Sequence, residues 1–448
     1  MSEWKKVKID FATIKLGDYI EPIKTTVADT GDKNPIVYGV SNKDGISQTG
    51  KPASKDISNY IVLEKDCFAF NPYRINVGSI GVNDENLKGC VSPAYVVFKT
   101  KNGLLPKFLY FYLKSDYGIH LINWYGNRGG VRNALRYSDL CKIDIPDIRH
   151  LNQEKLLKTF SSAWTQIEEL NKEIEKQKNY AKQLRQSILQ EAIEGKLTAD
   201  WRKQHPVQKG NPDYDAEALF EKIQAENSET KSSKKTVAPI TKDEIPFEIP
   251  TGWKWVRLGE ICEKITDGTH KTPKYTNSGV KFVSAKDIYN KELDFSHCKY
   301  ISENEHRELY KRCNPEYNDL LISKSGSIGT VALNNVKYEF SLFESLALVK
   351  YNQKLMLPKF MQYAVQYICN NLTASDIKGV CVKHLHLNVL SSQILSVPPL
   401  AEQKEIVARV EKHLQTITQL ETQIATRETT TKQLMQSILK DAFEEKSL

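Results

Sequence analysis

The chain has 448 residues, of which 40% are hydrophobic, and a formal net charge of +8. That length allows two to four domains of ordinary size, and that apolar share allows each a real core. No apolar run approaches the roughly 20 residues a membrane helix needs, which excludes a membrane-spanning helix.

The charge is unevenly placed. Residues 1–150 hold 21 Lys+Arg against 16 Asp+Glu, and residues 246–400 hold 19 against 15. Two basic blocks of similar size suit a polyanion gripped at two places. Charge alone fits a mildly basic protein without such a partner equally well. The eight cysteines are Cys67, Cys90, Cys141, Cys262, Cys298, Cys313, Cys369 and Cys381; none forms a C-x-x-C pair or a Cys/His cluster with zinc spacing. Scattered thiols without a signal peptide point to the reducing cytoplasm.

Residues 1–150 carry short β-type runs, YIVLEKDCFAF and AYVVFK, followed by a short helical stretch, FLYFYLKS. Residues 151–197 hold a long helix whose apolar positions recur at intervals of three and four. Pro146 stands ahead of it, and Gly195 stands where a C-terminal cap belongs. Residues 198–245 are a polar connector with a short amphipathic helix, DAEALFEKIQAE, and a SETKSSKKT run. Residues 246–400 repeat the first pattern, with DLLIS and LALVKY as strands and FMQYAVQYICNN as the helix. Residues 401–448 hold a second long helix, preceded by Pro398-Pro399.

The two halves are copies of one plan. QLRQSILQEAIEGK at Gln183 matches QLMQSILKDAFEEK at Gln433 in 9 of 14 positions, at an offset of 250. The same offset pairs Gln153 with Gln403. It also pairs Phe160, Trp164, Ile167, Leu170 and Ile174 with Val410, Leu414, Ile417, Leu420 and Ile424. Upstream, with small shifts, VSNKD at Val40 faces VSAKD at Val283, GSIG at Gly78 faces GSIG at Gly326, and LPKF at Leu105 faces LPKF at Leu357. The fold expected is α+β: two repeated domains of mixed or antiparallel sheet plus helices, separated by two long helices packed antiparallel as a coiled coil. A helix of about 44 residues is about 65 Å long, and one apolar stripe of that length needs a partner.

Several motifs invite a catalytic reading. GISQTGKP at Gly45 looks like a P-loop, but Pro52 stands where a magnesium-binding Ser or Thr is needed. It reads as a Gly-rich turn. Asn71-Pro72-Tyr73 has one proline too few for an amino-methyltransferase motif and reads as a turn ahead of Gly78. His384-x-His386 lacks a third ligand at a supporting spacing. Trp164 reads as core.

Other segments suit DNA contact. Arg74 lies where the first copy is five residues longer than the second, and loops that differ between copies are candidates for specificity. GNRGGVRNALR at Gly126 and KGVCVKHLHL at Lys378 are glycine-containing basic loops late in each domain. Glycine permits close approach to a ligand, and Arg can reach guanine or phosphate. They supply Arg128, Arg132, Lys378, Lys383 and His384. Lys43 and Lys286 in the VSNKD and VSAKD segments, Ser79 in the first GSIG, Lys324 and Ser325 before the second, and Lys271 complete the candidate set.

IPTGWKWVRLGEIC, TDGTHKTP, VPPLAEQKEIVARV, EGKLTADWRKQ, VYGVSNKDGI and CVSPAYVVF together resemble signatures of type I restriction–modification specificity subunits. The resemblance covers nearly the whole chain. It implies two target-recognition domains, each reading one half of a bipartite, asymmetric site in double-stranded DNA. It implies helices that space the domains and dock two methyltransferase subunits, with two restriction subunits in the full complex. The chain itself is then not an enzyme and holds no cofactor or metal. S-adenosylmethionine, ATP and magnesium belong to the partner subunits. The alternatives are the recognition part of a fused endonuclease–methyltransferase, and a coiled-coil scaffold that does not bind DNA.

Overall fold

The computed structural model describes residues 12–32, 34–49, 56–126, 134–150, 152–230, 238–373, 376–378 and 384–444. The chain divides into two compact units, one of residues 1–177 with 423–448 and one of residues 178–422. The division passes through both long helices, so each unit owns one globular block and a stretch of each helix.

In the first unit, four short strands form an antiparallel sheet in the order Ile20–Pro22, Val96–Thr100, Phe68–Phe70, Ile80–Val82. Phe68 stacks on Phe98 with centroids 4.7 Å apart, and Phe70 meets Phe98 edge-on. A second sheet has the order Gly45–Gln48, Val37–Ser41, Cys90–Val91, Ile61–Val62, and its central pair is parallel. The helix Pro106–Lys114 starts with proline at its first turn, where the missing N–H costs nothing. It buries Phe108, Leu109, Phe111, Tyr112 and Leu113 against the first sheet. Thr13–Lys15 pairs with Asp144–Pro146 and joins the start of the block to its end.

The second unit repeats the antiparallel sheet and keeps a parallel pair in its companion sheet, there at the sheet's edge. Cys262–Asp267, Leu346–Tyr351, Leu320–Ser323 and Val331–Leu333 form the antiparallel sheet. In the companion sheet, Val280–Val283 and Ser341–Leu342 form the parallel pair. Lys254–Arg257 pairs with Ile394–Val397, as Thr13–Lys15 does with Asp144–Pro146. The α+β architecture expected from the sequence is therefore present twice. The connector helix also forms, as Ala216–Thr230. Helices that the reading missed are Asp116–Gly126, Ala199–Gln204 and Glu303–Arg312. GISQ, read as a turn, is the strand Gly45–Gln48, because it pairs with Val37–Ser41. Asn71 caps its own turn by accepting from the Tyr73 N–H.

The long helices run Gln153–Ile193 and Leu400–Glu444. Their direction is antiparallel within each unit. In the second unit Arg185 bonds Glu421 and Thr418, while the Arg409 guanidinium bonds the Leu197 carbonyl further on. In the first, Arg427 donates to Gln177. The buried seam is a seven-residue repeat: Phe160, Ile167, Ile174, Ala181 and Ile188 on one helix, Val410, Ile417, Ile424 and Thr431 on the other. Leu170 and Leu420, read as seam residues, are 46% and 43% exposed and lie off it. Trp164 packs on Phe111, centroids 5.3 Å apart, as part of the first unit's core.

The repeated glutamines tie each globular block to its helix. Gln153 accepts from the Leu105 N–H at 2.9 Å, and Gln403 accepts from the Leu357 N–H at 2.9 Å. Each satisfies a donor at the start of the LPKF helix that the helix itself leaves unpaired. Connector, block and helix also meet at Glu402, which is 1% exposed. It accepts from Thr198 Oγ1 at 2.6 Å, from Trp253 Nε1 at 2.7 Å and from the Arg202 guanidinium. Gly195, at φ +73°, ends the first long helix as expected of a C-terminal cap.

Candidate nucleic-acid interface

In the first unit the strand Val37–Ser41 runs into a tight turn. Ser41 Oγ accepts from the Asp44 N–H at 2.9 Å, and Lys43 stands exposed at the tip. The GSIG turn lies against it. Gly78 has φ +84°, and a Cβ there would come within 2.6 Å of Asn42 Oδ1, so only glycine fits without displacing Asn42. Ser79 is buried and donates its hydroxyl to the Val40 carbonyl at 3.0 Å. Arg74 is exposed on the turn just before. Leu135, which follows the glycine loop, donates its N–H to the Pro72 carbonyl at 3.0 Å.

The second unit assembles the same three segments. After Val280–Val283, the Ser284 N–H and hydroxyl both bond Asp287, leaving Lys286 exposed between them. Ala285 N–H donates to Ser345 Oγ at 3.0 Å, and Lys324 N–H donates to the Ser345 carbonyl at 2.7 Å. Leu385, after the second glycine loop, donates to the Lys324 carbonyl at 3.0 Å. Lys286, Ser325 and His384 are thus carried by adjoining segments, as Lys43, Arg74 and Leu135 are in the other unit.

Neighbouring TDGTHKTP is held by a buried carboxylate. Asp267 bonds the ammonium of Lys324, His270 at 3.2 Å and Arg312 at 3.3 Å. Burial opposes its ionisation, but the hydrogen bond and charge of Lys324, with His270 and Arg312, outweigh it and hold Asp267 below the usual carboxylate range. Gly268 leaves no room for a side chain, since a Cβ would lie 2.1 Å from the Leu342 carbonyl oxygen. Lys271 projects beyond this anchored stretch and is exposed.

The chain matches known families at this point. Residues 250–427 match the family model described as the type I restriction modification DNA specificity domain. The EcoBI specificity subunit of Escherichia coli is 23% identical over 295 residues, 65% of this chain and 56% of that protein. The EcoAI specificity subunit of Escherichia coli is 25% identical over 259 residues, 55% of this chain and 42% of that protein. The chain is thus similar to type I specificity subunits. These alignments span about half the length of those curated relatives. A solved chain from a structure of a type I R-M system, described in terms of complex assembly and conformational transition, shares the fold. It superposes with TM-score 0.67 at 16% identity, covering 98% of this chain and 99% of that one.

The candidate residues sort by what their side chains do. Lys43, Arg74, Lys271 and Lys286 are exposed and make no ion pair among the described residues, so a polyanion can take them. Ser325 and His384 are half-buried beside them. Ser79 and Lys324 are engaged within the fold. One spends its hydroxyl on Val40 and the other its ammonium on Asp267, so both build the turn. Lys378 closes the strand Ile377–Lys378. Arg128, Arg132 and Lys383 lie outside the described residues. The reading missed Asn42, Asp267 and Lys114, whose ammonium bonds Asn42. TDGTHKTP held Asp267 in plain view, and Lys114 is the one cation in FLYFYLK.

Proposed function

We propose that the chain is the DNA-recognition subunit of a type I restriction–modification complex, each globular block reading one half of a bipartite, asymmetric duplex site. One observation carries this reading. In each unit the VSNKD or VSAKD turn, the stretch at GSIG and the residue after the glycine-rich loop, Leu135 or Leu385, are tied together, with Lys43 and Arg74 exposed in the first unit and Lys286 in the second. Phosphates attract the cations and set register, while side chains from adjoining loops can reach base edges. Two copies of one scaffold with different loops suit two half-sites of different sequence.

Adenine methylation with S-adenosylmethionine and ATP- and magnesium-dependent cleavage then reside in partner subunits. The purified chain, supplied with all three, is expected to leave DNA unmethylated and uncut; robust turnover with other subunits excluded contradicts this.

The long helices carry a matching signal for two methyltransferase subunits. Leu170 and Leu420 are 46% and 43% exposed, and Leu184 and Leu434 are 45% and 47% exposed, each pair at the repeat offset of 250. The same apolar pair, presented once per copy, fits the same partner bound twice. Changing Leu184 and Leu434 together to Asp should lower recovery of methyltransferase subunits at least about tenfold, since burying an unpaired carboxylate costs several kcal/mol. Undiminished copurification would remove the helices from the docking surface.

A further inference from the structure

The helix that follows LPKF is Pro106–Lys114 in the first unit and Pro358–Asn370 in the second. With Leu105 set on Leu357, Lys114 falls on Gln366. Both side chains reach segments of the candidate interface. Lys114 Nζ donates to the Asn42 carbonyl at 3.0 Å and to Asn42 Oδ1 at 2.9 Å. Asn42 in turn touches Gly78, so Lys114 fixes the turn bearing Lys43 against the GSIG turn. Gln366 is 5% exposed and works on the second GSIG. Its Nε2 donates to the Gly329 carbonyl at 3.0 Å, and its Oε1 accepts from the Val331 N–H at 3.3 Å.

We infer that Lys114 and Gln366 are equivalent positioning residues for DNA reading, each setting the geometry of the recognition segments in its own unit. The inference rests on the reading that these segments face DNA. Neither residue contacts a base on this account; each acts through the backbone it holds.

The two copies solve the task with different chemistry, and this makes the role testable. Burial pushes the Lys114 ammonium down to about 8. Its immediate partners are the neutral oxygens of Asn42, with the Tyr110 ring 5.7 Å away on its own helix. Lys114 lines a cavity whose other charged groups are Lys43 and Asp44 from the turn, Asp84 and Glu85 after Ile80–Val82, Glu168 on the first long helix and Lys432 on the second. Raising the pH from 7 to 9 removes the Lys114 proton, and its charge-assisted bonds to Asn42 become ordinary ones. Stability moves the other way. The folded value lies below that of the unfolded chain, so the native state binds fewer protons from about 8 upward, and this group's contribution to stability rises with pH. Gln366 does not titrate.

The test uses the full methyltransferase complex with three duplexes: the cognate site, one altered in the half read by the first unit, and one altered in the other half. Binding is measured at pH 7 and 9 for wild type, Lys114→Met, Lys114→Arg and Gln366→Leu. In Lys114→Met, discrimination at the first unit's half should fall about tenfold, the scale of one well-placed base contact. Discrimination at the other half should hold, and Lys114→Arg should recover most of the loss. Gln366→Leu should show the mirror pattern. Wild type should lose first-half discrimination between pH 7 and 9 without a fall in melting temperature, and Lys114→Met should be flat. Should Lys114→Met fail to fold, Lys114→Arg and the wild-type pH arm decide. Equal discrimination in Lys114→Met and wild type, or equal loss at both halves, overturns the assignment while leaving DNA recognition intact. A wild-type complex that does not separate cognate from altered DNA overturns the recognition reading and this inference with it.

Discussion

If the proposed function holds, exchanging residues 1–150 for the matching block of a type I specificity subunit should replace one half of the methylated sequence and leave the other half unchanged. The physical ground is that the first block is closed on itself. The helix Pro106–Lys114 packs on one face of the antiparallel sheet, the companion sheet packs on Ala69 and Val97 through Tyr38, Ile46 and Val91, and the pairing of Thr13–Lys15 with Asp144–Pro146 travels with the exchange. The boundary should fall after residue 146, so that Thr13–Lys15 and Asp144–Pro146, which pair with each other, come from the same protein. Phe160 and Trp164 stay with the recipient helix and pack on Phe111, so the donor should carry an aromatic residue at that place. Long-read methylation mapping gives the answer directly. If both halves changed together, or neither did, the blocks would not read independently.

Glu402→Ala should destabilise the second unit more than any single change at the interface. The carboxylate is buried and takes three donors, from Thr198, Trp253 and Arg202. Removing it leaves the Arg202 guanidinium, which is largely covered, without its counter-charge. Breaking a buried pair from one side costs about 3–5 kcal/mol, and in a unit of this size that lowers the melting temperature by on the order of 10 °C. Glu402→Gln, which keeps the shape and one acceptor, should cost less. Thermal melting of the full chain checks the order wild type, Gln, Ala. A change under about 2 °C in the alanine variant would mean that the network contributes little.

Much of this architecture is readable from the sequence because duplication leaves a signal that one copy cannot. Identity at the offset of 250 marks the helices, and the strand runs between glycines and prolines mark the sheets. The helix seam is only partly legible. Phe160, Ile167 and Ile174 are buried, but Leu170 is as apolar as they are, and only the position of the facing helix decides which stripe is covered. The interface segments are legible as places and not as roles. Ser79 looks like an available hydroxyl until the fold brings Val40 beneath it. Lys324 looks like an available cation until Asp267, 57 positions earlier, claims it. Such pairings depend on contacts between distant parts of the chain, and local composition does not encode them.

The proposed function is that this chain, through two separate blocks, decides where DNA is methylated. Mapping methylated adenines in cells that carry the complex, with and without the gene for this chain, tests it most directly. The account predicts one bipartite, asymmetric motif of two fixed half-sites around an unread spacer, present only when the chain is present. Methylation that persists without the chain, or that marks a single uninterrupted sequence, would contradict it.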